Sequence, residues 1–433
     1  MFAFQRTPLQ FLTHMTRTYG DVSQFRLLNL PLIVLNHPDD LQRVMQKNHM
    51  NYDKDVHLFK ASQTVFGNGL VTHPGGEEWL RHRRLMQPAF HHQRINAMGS
   101  LMTSAALKML EDWQPAIKAQ KPINMDEEMM RLTLQITSKA LFSLDIADTS
   151  NPFGQACDVV NTTLTNFIRF PLIPLSWPTP QHLRYRRAIE NMDKICYALI
   201  RQRQAKNEDT GDLLSMMMQT RDEETGTGMS EQELRDEVIT LLFAGQETSA
   251  ESLAWTMYLL SQYPEIEARF HDELDRVLNG RVPTIEDLAH LPYTRMVLEE
   301  SVRIYPPSWE IMRHTIADDE LGGYHIPAGS LLFWTQYTVH RHPDFWENPE
   351  EFNPERFLPE AVAKRHSYAY IPFSNGPRVC IGNTFSLVET QLVLATFGQR
   401  YRFRMPPSAP PVKPVALLTL HPSYSMMLLE PRN

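Results

Sequence analysis

One segment dominates what this chain can fold into. Ser230 and Glu233 form an S-x-x-E capping box, and an uninterrupted helical pattern then runs from Glu231 to about Gln262, where Pro264 forbids continuation. At about 1.5 Å per residue such a helix is roughly 45–50 Å long, enough to cross a whole domain. Its middle, Leu241-Leu242-Phe243-Ala244, is apolar on every face, so other elements must surround it. A chain of 433 residues built around that rod is expected to be mainly α.

The remaining pattern agrees. Pro8–Tyr19 and Asp39–Lys47 are helical in period, with a small hairpin of Val22–Leu28 and Leu32–Leu35 turning at Asn29-Leu30-Pro31. The stretch 77–221 is mostly helical, broken at Pro171, Pro174, Pro178 and Pro180, and Asp222–Gly228 reads as a loop. A helix over Tyr293–Tyr305 stops at Pro306-Pro307. Short strands follow at Arg313–Ile316, His325-Ile326 and Leu331–Thr335, and a last helix spans about Ile381–Arg400. The expectation is one catalytic domain over 1–433. Its minor β portion lies near 20–60, 310–340 and the C-terminus, and its helix-rich part near 77–305 and 381–400.

A net charge of -8 gives no basic footprint for nucleic acid. Three cysteines (Cys157, Cys196 and Cys380) are too few and too odd for a disulfide framework and suit a reducing compartment. No run of about 18 apolar residues suggests a membrane anchor, and the N-terminus does not read as a signal peptide. A cytoplasmic protein is expected.

Chemistry concentrates at Phe373-Ser374-Asn375-Gly376-Pro377-Arg378-Val379-Cys380-Ile381-Gly382. Cys380 lies between a turn-rich loop and a helix start. Free N–H groups and the helix dipole there favour a thiolate, which is a good axial ligand for haem iron. Gly376 and Gly382 permit close backbone approach, and Arg378 can pair with a propionate. Taken alone, a single Cys is more often a structural residue, which is the reading for Cys157 and Cys196.

The segment resembles the F-x-x-G-x-R-x-C-x-G signature of the cytochrome P-450 superfamily, complete at its fixed positions. Three further motifs follow the family's order over nearly the whole chain. Glu300-Ser301-Val302-Arg303 resembles E-x-x-R. With Arg356 of Asn353–Phe357, the resemblance makes Glu300, Arg303 and Arg356 a buried structural network. Ala244-Gly245-Gln246-Glu247-Thr248-Ser249 resembles the family's oxygen-groove motif. That implies a locally distorted helix, with Thr248 and Glu247 relaying protons and Ala244 beside the haem. Alone, Thr248 would be a helix Thr bonded to its i-4 carbonyl. Trp79-Leu80-Arg81-His82-Arg83 resembles W-x-x-x-R. By resemblance Trp79, Arg83, Arg313 and Arg378 bind propionates, and Phe373, Ala244 and Gly382 border the haem. His82 is not the expected ligand, because Cys380 already fills that role.

The resemblance implies the cytochrome P-450 fold, with haem b between the central helix and the Cys loop. It implies a monooxygenase that inserts one atom of O2 into a lipophilic molecule such as a fatty acid, terpenoid or carotenoid. The pocket would involve Phe59, Phe66, Phe243, Ser308, Trp309 and Ile311. The chain carries no dinucleotide fingerprint and no Cys cluster for iron–sulfur. Electrons are therefore expected from an external ferredoxin- or flavodoxin-type donor and its reductase, with NAD(P)H used only indirectly. Arg81, Arg84, Lys364 and Arg365 are candidates for the docking patch. Two other readings stay open: a peroxide-using or rearranging haem-thiolate enzyme, and a non-catalytic haem sensor. A zinc hydrolase is set aside, because the 17 His include no H-E-x-x-H.

Overall fold

The computed structural model describes residues 2–27, 30–145, 152–169, 173–206, 210–222 and 226–432. The central helix spans Glu231–Gln262. Both halves of its capping box are made: Glu233 N–H donates to Ser230 Oγ at 3.2 Å, and Ser230 N–H donates to Glu233 Oε2 at 2.6 Å. The rod packs mainly against the helix Met125–Phe142, with Pro180–Lys206, Pro292–Ile304 and Asn383–Gly398 around it. Leu242, Leu253, Trp255 and Leu260 on it are fully buried, as an all-apolar midsection requires.

The principal sheet runs Val22–Leu27, Leu30–Leu35, Leu331–Thr335, Glu310–Thr315 and Tyr52–Asp53 in spatial order. Leu30–Leu35 pairs with Leu331–Thr335 in parallel, and the other neighbours are antiparallel. Pro31 lies within the second strand opposite Arg26, not in the turn expected from sequence. Leu28 and Asn29 lie outside the described residues. One face of the sheet buries Phe4, Leu9, Leu12, Phe25 and Phe333 beneath the first two helices; the other buries Leu35, Leu41, Trp334 and Tyr368. Much of 20–60 is therefore helical turn rather than strand: Pro38–Gln42 is α, followed by the π turn Arg43–Lys47. Pro171 and residues 223–225, both within expected breaks, also lie outside the described residues.

The C-terminal strands complete the frame. Met426–Pro431 joins Tyr401–Arg404 and Ile123–Asn124. A hairpin of Pro414–Ala416 and Leu420–Pro422 folds onto the central helix, where Trp255 Nε1–H donates to Leu420 O at 2.8 Å. Trp255 is stacked on Tyr305 with ring centroids 3.7 Å apart. These contacts bring the end of the chain against the middle of the rod.

Candidate active site

The Cys loop is built by backbone constraint. Gly376 has φ +68°, and a Cβ there would lie 1.9 Å from Met45 O, so no other residue fits. Ser374 also has positive φ, +60°. Cys380 N–H donates to Phe373 O at 2.9 Å, closing the loop, and the helix Asn383–Gly398 begins just beyond Gly382. A Cβ on Gly382 would meet only Phe90, at 4.0 Å, so packing does not demand glycine there.

Cys380 is surrounded by protein, yet its side chain is exposed, so the sulfur faces a hollow inside the fold. The sequence led to an expectation of a lowered thiol pKa. The structure gives the opposite: burial pushes the thiol up, and the Gly382 N–H and nearby Arg83 only partly oppose it. Those two groups favour a thiolate but do not by themselves outweigh desolvation.

On the central helix, Phe243, Ala244, Gly245 and Thr248 are partly exposed while the turns on either side are buried. Ser249 Oγ, beside Thr248, lies 3.1 Å from Ser386 Oγ on the helix that follows Cys380, so these two helices flank the hollow. The helix is continuous α through this motif, without the expected local distortion. Thr133 Oγ1 from the neighbouring helix instead donates to Gln246 O at 2.7 Å. Gly245 is required by close approach, since a Cβ would sit 2.8 Å from Thr137 side-chain atoms. Thr248 Oγ1 donates to Ala244 O at 2.8 Å, the i-4 bond open to any helix Thr. Glu247 is almost fully buried, and its Oε1 accepts from Asn161 Nδ2 at 2.5 Å and Thr419 Oγ1 at 2.6 Å and lies 3.0 Å from His421 Nε2. The sequence reading missed all three partners.

Three guanidiniums gather near the Cys loop. Arg83 donates to Val379 O at 2.9 Å. Arg378 donates to Pro74 O at 2.5 Å and His73 O at 3.2 Å, and its guanidinium lies 4.4 Å from the Trp79 ring centroid. Arg313 donates to Met312 O at 2.7 Å, over the Trp334 ring. Among the described residues none of the three forms an ion pair. Burial lowers all of them, Arg313 to about 9 and Arg378 to about 10. Lys54, which the sequence reading passed over, is pushed well below its ordinary value by burial and by Arg313 and Arg378. Largely desolvated guanidiniums that form no ion pair among the described residues, with only Asp53 nearby to offset Arg313 and Arg378, fit a dianionic metalloporphyrin beside Cys380: the sulfur would hold the metal and the cations would suit the propionates. Trp79 does not offer its N–H as expected, because Nε1–H is already donated to Leu70 O at 3.3 Å. Its ring packs against Arg378 instead.

Glu300, Arg303 and Arg356 come together as the resemblance implied. Arg303 makes two bonds to Glu300 and further bonds to the carbonyls of His340, Pro349 and Glu351. Arg356 reaches the same carboxylate at 3.3 Å. His82 is bound between Glu233 and Glu237 of the central helix.

The expected pocket residues divide. Phe66 and Phe243 pair edge to face at 5.0 Å, and Phe243 is partly exposed. Phe59 packs toward the sheet core under Lys54. Trp309 is a core residue whose Nε1–H donates to Leu417 O at 2.9 Å, and Ile311 packs on the opposite sheet face. Ser308 is exposed. Trp309 is therefore support for the sheet, whereas Ile311 is partly exposed and shares its strand face with Arg313. The expected basic patch also dissolves. Arg81 bonds Glu233 and Gly228 O, Arg84 bonds Asp222, and Arg365 is packed among Trp346, Phe357 and Tyr370.

The family model for Cytochrome P450 matches residues 1–428, and this chain belongs to that family. It is a cytochrome P450 monooxygenase with haem as cofactor. Among its relatives, cyclooctat-9-en-7-ol 5-monooxygenase of Streptomyces melanosporofaciens is 36% identical, across 94% of this chain and 87% of that protein. Cyclooctatin synthase of the same organism is 35% identical, across 99% and 92%. Pentalenene oxygenase of Streptomyces avermitilis is 32% identical, across 99% and 94%. The crystal structure of the cytochrome P450DA haem domain superposes with a TM-score of 0.91 at 27% identity, covering 98% of this chain and 93% of that one. No helix among the described residues is long and apolar enough to cross a membrane.

Proposed function

We propose that this chain hydroxylates an unactivated carbon, or epoxidises a carbon–carbon double bond, of a cyclic terpenoid, with electrons delivered by a separate ferredoxin- or flavodoxin-type protein and its reductase. The observation that carries the reading is the accessible Cys380, whose following helix meets the central helix at Ser249 beside the partly exposed stretch Phe243–Thr248, together with nearby guanidiniums that form no ion pair among the described residues. The terpenoid class rests on the names of the Streptomyces relatives. The balance for hydroxylation is RH + O2 + 2 e⁻ + 2 H⁺ → ROH + H2O, and for epoxidation alkene + O2 + 2 e⁻ + 2 H⁺ → epoxide + H2O.

Haem, when bound, supplies oxygen activation and the oxidising power for carbon. The chain supplies the rest. Cys380 would hold the iron through its sulfur, Arg83, Arg313 and Arg378 would pair with the acidic side groups, and Phe373, Ala244 and Gly382 would line the site. Phe66 and Phe243 give the substrate an apolar wall and exclude water. Thr248 Oγ, whose hydrogen is engaged by Ala244 O, keeps lone pairs to accept and orient a proton-bearing group, and Glu247 is the acid behind it. Glu300, Arg303 and Arg356 shape the loop without taking part in the chemistry.

The test is a spectral titration of the haem protein with pentalenene, cyclooctat-9-en-7-ol and dodecanoate, followed by product analysis with O2 and a surrogate ferredoxin system. A shift of the haem band and an oxygenated product with either terpenoid support the reading. A response to dodecanoate alone rejects the terpenoid assignment.

A further inference from the structure

Glu247 is cut off from solvent, so its protons need a path. His421, itself buried, is in contact with it and also reaches the partly exposed Asp126. Its Nε2 lies 3.0 Å from Glu247 Oε1, and its Nδ1 lies 2.8 Å from Glu251 Oε1 and 3.4 Å from Asp126 Oδ1. Glu251 is fully buried, whereas the Asp126 side chain is 29% exposed at the start of the helix Met125–Phe142. Thr419, two residues before His421 on the same hairpin, donates to the same Glu247 oxygen at 2.6 Å.

We propose that His421 is the positioning residue of the oxygenation reaction: it fixes the Glu247 carboxylate for proton delivery and links it, through its second ring nitrogen, to Asp126 as the outlet to solvent. The inference rests on the monooxygenase reading above.

The electrostatic setting agrees. Burial opposes charge on His421, but the bonds to Asp126, Glu247 and Glu251 overcome it and push the imidazole up to about 12. Glu251 is driven well above its ordinary value, chiefly by burial. Among the described residues, other ionisable groups near this cluster include Glu127, Asp158, whose carboxyl is raised by partial desolvation although the residue reaches solvent, and Cys157, whose thiol is pushed far up by burial. None of these neighbours is a Lys or Arg, so His421 is the local cation. With both ring N–H groups present, it can donate from Nε2 toward Glu247 while Nδ1 faces Glu251 and Asp126 as ion-pair partners.

A second route competes. A cavity of about 10 Å³, room for about one water, lies between Glu247 and the exposed Asp158, lined also by Met130, Cys157, Asn161, Phe243 and Gln246. The experiment separates the two with His421→Gln, Asp126→Asn and Asp158→Asn holoenzymes, each checked for the carbon-monoxide spectrum of the thiolate form. Each is driven in two ways on pentalenene and dodecanoate: by O2 with a reduced nicotinamide, reductase and ferredoxin, and by cumene hydroperoxide, which brings its own oxygen and bypasses proton delivery.

The expected result for His421→Gln is roughly a tenfold loss of product per nicotinamide, matched by released peroxide (O2 + 2 e⁻ + 2 H⁺ → H2O2). Hydroperoxide-driven product should stay within about twofold of the parent, and the solvent deuterium effect should be larger. Asp126→Asn should show a smaller loss of the same kind, and Asp158→Asn none. Parent-like coupling and isotope effect in His421→Gln and Asp126→Asn overturn the proposal, as does a loss confined to Asp158→Asn. If His421→Gln loses its thiolate spectrum, Asp126→Asn decides alone by the same criterion. If the parent makes no product by either drive, the failure belongs to the substrate reading and not to His421.

Discussion

Arg303 holds Glu300 through two hydrogen bonds of 2.6 and 2.8 Å, and neither side chain has any solvent exposure. Asn353 N–H also donates to this carboxylate, and Arg356 lies 3.3 Å from it, so Glu300 is held by three different segments of the chain. Glu300→Ala would leave a fully buried guanidinium without its counter-charge, at a cost of about 3–5 kcal/mol. Arg303→Lys keeps the charge but loses the planar fork that also reaches three carbonyls. Both should express with little haem, read as the ratio of haem to protein absorbance. Normal haem content in Glu300→Ala would contradict the structural role.

Arg313 should affect the apo and haem-bound chains in opposite directions. It is a buried cation with no ion-pair partner among the described residues, lowered to about 9 by burial. Arg313→Leu removes that cost, so the apoprotein should gain about 1–3 kcal/mol in a urea melt. The haem protein should lose haem to an acceptor protein roughly tenfold faster, because one propionate partner is gone. A change of the same sign in both forms would argue against a propionate role.

Thr248→Val swaps a hydroxyl for a methyl of similar shape on an intact helix. Stability should change by less than about 1.5 kcal/mol, since only the bond to Ala244 O is lost. Product formed per nicotinamide oxidised should fall about ten- to a hundredfold, and Thr248→Ser should restore much of it. The measurement is the ratio of product to nicotinamide and peroxide.

Glu389 gives a pH signature. It is fully buried on the helix after Cys380, and burial raises its carboxyl to about 8, with the nearby Ser249 hydroxyl partly opposing. The folded chain thus keeps this proton where the unfolded chain, near 4.5, has lost it. Its contribution to stability is complete below about pH 4.5 and fades as pH rises toward 8. Glu389→Gln should flatten that decline and be more stable than the parent by up to a few kcal/mol at pH 8. Denaturant melts at pH 5 and pH 8 check it; an equal gain at both would exclude titration as the cause.

The parts legible in the sequence were those encoded by neighbours along the chain. The Ser230–Glu233 capping box, the i, i+3 pairing of Glu300 with Arg303, and the glycine needed at 376 each follow from local geometry, and each is present. What stayed hidden depends on tertiary approach. Asn161 and His421 reach Glu247 from distant parts of the chain, and no periodicity marks either. Trp79 turned its N–H to Leu70 rather than outward, and Trp309 was drawn into the sheet core by its bond to Leu417. The raised Cys380 thiol shows the same limit: a helix start is visible in sequence, but the depth at which it is buried is not.

The bond from Trp255 to Leu420 O ties the C-terminal hairpin to the rod that also carries Glu247. Residues 414–422 therefore cannot be redesigned as an independent loop. A library that varies them to admit bulkier molecules will shift His421 and Thr419 as well, and clones chosen only for new products will tend to waste reductant as peroxide. Selecting on product and peroxide together would keep the two properties in step.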